Sequence, residues 1–538
     1  MKRTPTLLIL IFALLAACSP AAPNPPAASA SPAAAATATL QPPELPWWRE
    51  AVFYEIFVRS FQDSNGDGIG DFNGITQRLD YLQNLGVTAL WLMPIHPSPS
   101  YHGYDVLNYY AVNPQYGSLD DFKNLLAQAH QRGMRVILDL VLNHTSSRHP
   151  FFVSANSDVN SPYRSWYIWA DSYSGNHWYK GNGGYYYGFF WSEMPDLNYT
   201  NPEVTAQMEA MSAFWLEMGV DGFRIDAAKH LVEEGLKLEN TASNHTWLKG
   251  YYAALKADFP NAYTLGEIYG AGALVTKIYH NELDHIFNFE ISSGAVNSAL
   301  GQASSGINSA ITFAQKDNPQ GDFATFLTNH DQERTMSVLR GDENKAKIAA
   351  ALLLTAPGTP FLYYGEEIGM TGKKPDENLR TPMQWDSSPN AGFSAAQPWI
   401  AVNADYASGT NAEEQQADPN SLWNTYQALI ALRKAHPALR SGNFSLVESG
   451  SASLYSLLRV DASSGETLLV LVNLTSETIS QYALSASGLP LADGAAQAQT
   501  LFGGQNPAAP VISGGGLQNY QPLPSLPPFG IFIFQLSR

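Results

Sequence analysis

Short apolar or β-branched runs recur along the chain at Ala51 to Val58, Ala89 to Met93, Val136 to Leu140, Gly222 to Ile225, Tyr263 to Leu265, Ile286 to Phe289, Thr325 to Leu327 and Phe361 to Tyr364. Between them, Ile75 to Leu85, Leu119 to Arg132, Pro202 to Met218 and Lys345 to Leu354 carry apolar residues at i, i+3 and i+4, the spacing of helices that lie on a sheet. Eight strands alternating with helices predict an α/β fold of the (β/α)8 barrel type. In such a barrel the side chains that do chemistry sit at the carboxyl ends of the strands. Polar residues that trail an apolar run are therefore the candidates: Asn143 and His144 after the third run, Asp226 after the fourth, Glu267 after the fifth, and His330 and Asp331 after the seventh.

Two stretches break the alternation. Residues 145–198 are too long for an ordinary βα loop and are rich in aromatics, which predicts an inserted subdomain after strand 3. Past residue 438, short alternating runs separated by Gly, Ser and Pro predict a C-terminal antiparallel β-sandwich over residues 439–538. The barrel is then expected in two parts, residues 47–144 and 199–438.

The amino terminus has a different character. Met1-Lys2-Arg3 followed by the apolar Leu7 to Ala16 reads as a signal peptide. Leu15-Ala16-Ala17-Cys18 resembles the lipobox of bacterial lipoproteins, which implies cleavage before Cys18, lipidation of its thiol, and an exported protein held on the cell membrane. Residues 19–46 are mostly Ala, Pro, Ser and Thr, too poor in apolar surface to offset chain entropy, and are expected to be a flexible tether. Cys18 is the only cysteine, so no intramolecular disulfide contributes to stability.

A formal net charge of −18 argues against a nucleic-acid partner, because phosphate binders concentrate Lys and Arg. Abundant Trp, Tyr and Phe suit a neutral, ring-shaped ligand such as a sugar, although aromatics serve cores as often. Trp166, Trp169, Trp178 and Trp191 in the insertion are open to both readings.

Cleaving a glycoside with retention requires two carboxyl groups about 5 to 5.5 Å apart, one ionised and one protonated. Asp226 and Glu267, at consecutive strand ends, are the candidate pair. Arg224 lies on the same face of its strand as Asp226 and is expected to lower that carboxyl's pKa, while Asp226 and Asp331 are expected to raise that of Glu267.

Asp139-Leu-Val-Leu-Asn143-His144, Gly222-Phe-Arg224-Ile-Asp226-Ala-Ala-Lys229-His230, Gly266-Glu267-Ile and Phe326-Leu-Thr-Asn329-His330-Asp331 resemble the four ordered motifs of the α-amylase family, glycoside hydrolase family 13. The resemblance implies that Asp226 is the nucleophile, Glu267 the acid/base and Asp331 a third carboxylate that grips the bound sugar. It further implies that Tyr104 forms a platform under that sugar, and that Arg224, His144 and His330 hold the nucleophile and the sugar hydroxyls. Lys229 and His230 resemble a pair that holds sugars on the leaving-group side. Arg380, in Arg380-Thr-Pro-Met-Gln-Trp-Asp386, resembles an arginine that approaches the catalytic subsite. Ala227 looks like members acting on α-1,4 bonds, whereas Met194-Pro-Asp196-Leu-Asn198 resembles members intermediate between oligo-1,6-glucosidases and neopullulanases. The implied partner is an α-glucan of the starch or maltodextrin type, cleaved by hydrolysis. A glucosyltransferase, an exo-acting α-glucosidase and, more remotely, a non-catalytic glucan-binding lipoprotein are the alternatives.

Asp63-Ser-Asn65-Gly-Asp67-Gly-Ile69-Gly-Asp71 places oxygen ligands at alternate positions, as in the first nine positions of an EF-hand, but Gly74 stands where the bidentate Glu would fall. The loop resembles the calcium loop of oligo-1,6-glucosidase-like members, which implies Asp63, Asn65, Asp67, Ile69 and Asp71 as ligands of a structural Ca2+. A metal-free Gly/Asn/Asp turn is the other reading. Asn143 is a candidate for a second calcium site.

Overall fold

Eight parallel strands follow one another around a single sheet: Phe53–Ile56, Ala89–Leu92, Arg135–Leu140, Gly222–Ile225, Tyr263–Gly266, His285–Ile286, Ala324–Thr325 and Thr359–Tyr363. The first strand pairs with the second and the eighth, and a parallel bridge from Phe287 to Ala324 joins the sixth to the seventh, so the sheet closes on itself. This is the (β/α)8 barrel, seen in a computed structural model that describes residues 45–173 and 175–538. Cys18, with the export, lipobox and most of the tether readings, lies outside the described residues. Among those residues no helix is long and apolar enough to cross a membrane.

All eight expected runs become barrel strands. The sixth is shorter than the pattern suggested, because Asn288 ends it by accepting from the amides of Glu290 and Ile291 and so caps a helix that begins at Phe289. The expected helices form as Phe72–Leu85, Leu119–Gln131, Pro202–Glu217 and Glu343–Thr355. Asp71, Ser118, Asn201 and Asp342 cap their amino ends, and Ser118 forms a reciprocal capping box with Asp121.

The barrel interior is filled by side chains such as Phe53, Trp91, Ile137, Leu265, Phe287 and Phe361, all buried. Alternation along a strand aims every second residue inward. Two positions beyond Phe53, Ile137 and Leu265 stand Glu55, Asp139 and Glu267, so the layer above the apolar floor is charged. Gly222 begins the fourth strand because its φ is +154° and an added Cβ would lie 2.2 Å from the carbonyl oxygen of Tyr263. The neighbouring strands thereby approach closely just below Arg224.

The long connection after the third strand folds as a helix, Pro150–Ser157, and a small sheet of Trp169–Ala170, Trp178–Gly181 and Gly184–Tyr187. Trp166 packs on Phe151 and Tyr163, and Trp169 stacks on Phe152, so these two tryptophans build the core of the insertion. Trp178 packs against Tyr187.

Carboxyl-terminal to the barrel, a five-stranded antiparallel sheet built on Leu454–Val460, Thr467–Asn473 and Ile531–Ser537 shares a second core with a four-stranded sheet. Two arginines meet at the junction with the barrel, Arg433 from helix Leu422–Ala435 and Arg459 from strand Leu454–Val460. Arg433 donates to the carbonyl oxygens of Leu354, Ala356 and Gly358, and Arg459 donates to those of Thr355, Ala356 and Gly442. Both side chains are buried, and both meet the carboxyl end of helix Glu343–Thr355, where unpaired carbonyls and the helix dipole favour cations.

Candidate active site

The charged layer of the barrel converges on Arg224. Its Nη1 lies 2.8 Å from Asp139 Oδ1 and 2.6 Å from Asp226 Oδ1, and its Nη2 lies 3.5 Å from Glu267 Oε2. One guanidinium therefore touches both candidate carboxyl groups, which come from the ends of the fourth and fifth strands. A second link joins them, because the backbone N–H of Ala227 donates to Glu267 Oε2 at 3.0 Å. Ala227 adopts φ +48°, the left-handed region that disfavours a residue with a Cβ.

Asp331 closes the opposite side. Its Oδ1 accepts from Arg380 Nη2 at 2.9 Å, and its Oδ2 is 3.3 Å from His330 Nε2. His330 Nε2 also lies 2.7 Å from the Tyr104 hydroxyl, which donates to Asp139 Oδ2 at 3.0 Å. Beyond the ring, His330 Nδ1 is 2.5 Å from Glu55 Oε1 on the first strand.

These groups border a cavity of about 350 Å³ lined by Tyr104, His144, Asp226, Ala227, Glu267, Asp331 and Arg380, with Tyr101, His102, Phe190, Trp191, Met194 and Asp376 around the rim. Trp191 is 53 % exposed and thus available to a ligand, unlike Trp166 and Trp169. His144 donates from Nε2 to the Tyr104 carbonyl oxygen at 3.2 Å, and burial pulls its pKa down to about 4, so it is a neutral donor. Lys229 and His230 lie apart from the cavity lining: Lys229 Nζ pairs with Glu239 at 2.6 Å, and His230 Nδ1 faces the Leu238 carbonyl oxygen at 2.8 Å.

The electrostatics correct one expectation. Burial is the largest influence on Asp226 and lifts its pKa above the ordinary carboxylate value, with Arg224 as the main opposing force. The expected net lowering by Arg224 is absent because the carboxyl is withdrawn from water. Glu267 is raised as expected, chiefly by burial, with Asp226 and Asp331 adding to it. Asp331 goes the other way: burial pushes it up, but His330 and Arg380 outweigh that and hold it below its ordinary value. Asp139 is pushed up to about 7, first by burial, against the pull of Arg224. The site thus offers one carboxyl suited to carry a proton, one in contact with a guanidinium, and a third kept anionic, which is the equipment for acid-assisted displacement at an acetal carbon.

The family's sequence profile, described as the catalytic domain of α-amylase, matches residues 55–442. The chain belongs to the α-amylase family. Within that family it is 44 % identical over 417 residues to Alpha-amylase 3 of Dictyoglomus thermophilum, covering 76 % of this chain and 82 % of that one. It is 34 % identical over 498 residues to a glucan 1,6-alpha-glucosidase of Streptococcus pneumoniae, covering 80 % and 92 % of the two chains. The crystal structure of an alpha-amylase from H. orenii superposes with a TM-score of 0.78 at 36 % identity, over 91 % of this chain and 99 % of that one. The α-amylase-family assignment makes the chain a glycoside hydrolase-type enzyme that acts on glucans by hydrolysis or transfer.

Glu55 and Asp139 were not singled out as site residues from the sequence, yet both touch its central groups. The signal was available: each is a carboxylate two positions after an inward apolar residue on an otherwise apolar strand. His102, Phe190, Trp191, Met194 and Asp376 come from loops, where no period marks which side chains turn inward.

In the Asp63–Asp71 loop, Asp63 Oδ1 accepts from the amides of Asn65 and Gly66, Asn65 Oδ1 from Asp67, and Asp67 Oδ1 from Ile69. Gly68 has φ +88°, and a Cβ there would sit 2.1 Å from the Gln397 carbonyl oxygen. Successive Asx turns wind the loop tightly, and its all-oxygen donor set suits a hard cation such as Ca2+. Asp71 serves in addition as a helix cap and accepts from Ser64. Among the described residues, no group of three or more His, Cys, Asp or Glu side chains is arranged to hold a metal ion, so such a cation would draw on amide and backbone oxygens as well.

Proposed function

We propose that this enzyme hydrolyses α-1,4-glucosidic bonds of starch or maltodextrins with retention of configuration. The observation that carries the reading is the contact of Arg224 with both Asp226 and Glu267, two carboxyl groups that line one cavity of about 350 Å³. Asp226 attacks the anomeric carbon as the glycosidic C–O bond breaks, and Glu267 gives its proton to the departing oxygen. Glu267 then takes a proton from water, whose oxygen displaces Asp226 and returns the carboxylate. Asp331, oriented by Arg380, receives sugar hydroxyls, and Tyr104 lies beneath the ring. Ala227, which lines the cavity, supports the α-1,4 reading through its resemblance to α-1,4-acting members. Lys229, paired with Glu239 outside the cavity lining, is proposed to meet sugars on the leaving-group side by resemblance to the family.

The likeness to a glucan 1,6-alpha-glucosidase favours a second reading, cleavage of α-1,6 bonds. Chromatography of products from starch, maltotriose, pullulan and isomaltose separates the two. Short maltooligosaccharides from starch are expected. Turnover of isomaltose without turnover of maltotriose would replace the first reading with the second, and accumulation of lengthened oligosaccharides would assign transfer. Proton NMR of fresh product should show the α-anomer, and the β-anomer would reject a retaining mechanism.

The Asp63–Asp71 loop is proposed to hold one structural Ca2+ through Asp63, Asn65, Asp67, Asp71 and the Ile69 carbonyl oxygen, the three carboxylates turning from their backbone amide partners to converge on the ion. Retaining carboxylate chemistry needs no Lewis acid, so the ion would stabilise the loop only. Export and anchoring to a lipid bilayer through Cys18 are proposed on the lipobox alone. Membrane fractionation should release the Cys18→Ala variant into the soluble fraction.

A further inference from the structure

His330 stands between two carboxylates, with Asp331 at Nε2 and Glu55 at Nδ1. The Tyr104 hydroxyl has one proton, which points to Asp139 Oδ2 at 3.0 Å. His330 Nε2 lies 2.7 Å from that hydroxyl and 3.3 Å from Asp331 Oδ2, and the Asp331 carboxylate, held below its ordinary pKa, requires a proton on Nε2. Glu55 Oε1, 2.5 Å from Nδ1, is a carboxylate oxygen and requires a proton on the other ring nitrogen. A ring that donates from both nitrogens is an imidazolium. Burial opposes that charge, since His330 is fully enclosed and the edge of Trp91 packs on it. Something must offset the loss of water: Asp331 at Nε2 is the larger influence, and Glu55, hydrogen-bonded at Nδ1, is the second.

We infer that Glu55 is a positioning residue that holds His330 as an imidazolium with Nε2–H facing Tyr104 and Asp331. Glu55 comes from the first strand and lies below the substrate cavity, so it has no route to the sugar and acts through the ring. The charge it sustains keeps Asp331 ionised and orients Tyr104, two groups that the proposed mechanism places against the sugar. The other charged or titratable groups that bear on His330 are Asp331 from its own loop, Arg380 through its Nε at 3.1 Å from the His330 carbonyl oxygen, Tyr104, and more distantly Asp139 and Asp226. Arg380 opposes the ring charge, while the carboxylates favour it. Glu55 and Asp331 bracket the ring, one at each nitrogen.

The state of His330 is independent of substrate, which separates this inference from the proposed reaction. Nitrogen NMR of the full chain labelled at histidine, with the His330 signals assigned by their loss in His330→Asn, should show both ring nitrogens protonated at pH 7. In Glu55→Gln, whose amide oxygen still accepts from Nδ1 but carries no charge, the pKa of His330 should fall by about one unit or more. KM for maltotriose should rise about tenfold with a smaller change in kcat, and Glu55→Asp should restore much of the loss. A neutral His330 in the unaltered protein at pH 7 would overturn the inference, and that measurement needs no variant to fold. An unchanged His330 titration in Glu55→Gln would also overturn it. A shifted titration with no effect on KM would retain Glu55 as the keeper of the ring's charge and instead remove Asp331 from the sugar-binding role proposed above.

Discussion

The backbone N–H of Ala227 donates to Glu267 Oε2 at 3.0 Å, and Ala227 makes this bond from a left-handed conformation at φ +48°. A residue adjacent to one carboxyl thus aims the other, at a backbone cost of about 1–2 kcal/mol. Ala227→Val is expected to lower kcat/KM on maltotriose at least about tenfold and to lower the melting temperature, because a β-branched side chain fits that backbone poorly and fills the cavity wall. Kinetics and a calorimetric scan of the same preparation check both effects.

Asp226→Ala and Glu267→Gln should each reduce turnover of maltooligosaccharides by about 10³-fold or more while the circular dichroism spectrum is retained. Activity in both variants near that of the unaltered enzyme would remove the proposed roles.

The pH profile has a definite sign. Asp226 acts as a carboxylate, so activity falls as the solution is acidified through its pKa, which burial places above the ordinary value. The acid limb should therefore lie above the ordinary carboxylate value. Glu267 acts as an acid, so activity falls again as pH rises through its own elevated pKa. Asp331 is depressed in the folded state, so its contribution to stability is present at neutral pH and is lost as pH falls through its folded-state pKa. A bell-shaped profile of kcat/KM is expected, and an acid limb at or below the ordinary carboxylate value would contradict the elevation of Asp226.

The proposed calcium makes a separable prediction. Dialysis against a chelator should lower the melting temperature and release about one equivalent of Ca2+. Asp67→Ala should abolish the chelator effect without changing the active-site titrations. No change in melting temperature and no released calcium would leave the loop a metal-free turn.

Arg433 and Arg459 predict a stability effect far from the site. Arg433→Met should destabilise the protein by about 3 kcal/mol or more, since the carbonyls of Leu354, Ala356 and Gly358 lose a buried donor. Urea unfolding measures it, and activity per folded molecule should be unchanged.

Strand and helix periodicity exposed the barrel because each strand must bury one side against the interior and each helix one stripe against the sheet. Asp226, Glu267 and Asp331 were legible because they trail apolar runs, and topology alone brings strand ends to one mouth. Glu55 shows the limit. As a single acidic letter within Phe53-Tyr-Glu-Ile56 it carries no partner, and its meaning depends on His330, which lies 275 positions away. Only the closed sheet makes them neighbours.

The amino-acid order by itself determined which faces are apolar, where helices begin and end, and which strand ends carry charge, since these follow from local period and capping chemistry. The tertiary structure alone decided that one guanidinium serves two carboxyl groups, that burial overrides it at Asp226, and that Lys229 turns to Glu239 rather than into the cavity. Those outcomes depend on distance and on exclusion of water, quantities that exist only once remote segments are packed together.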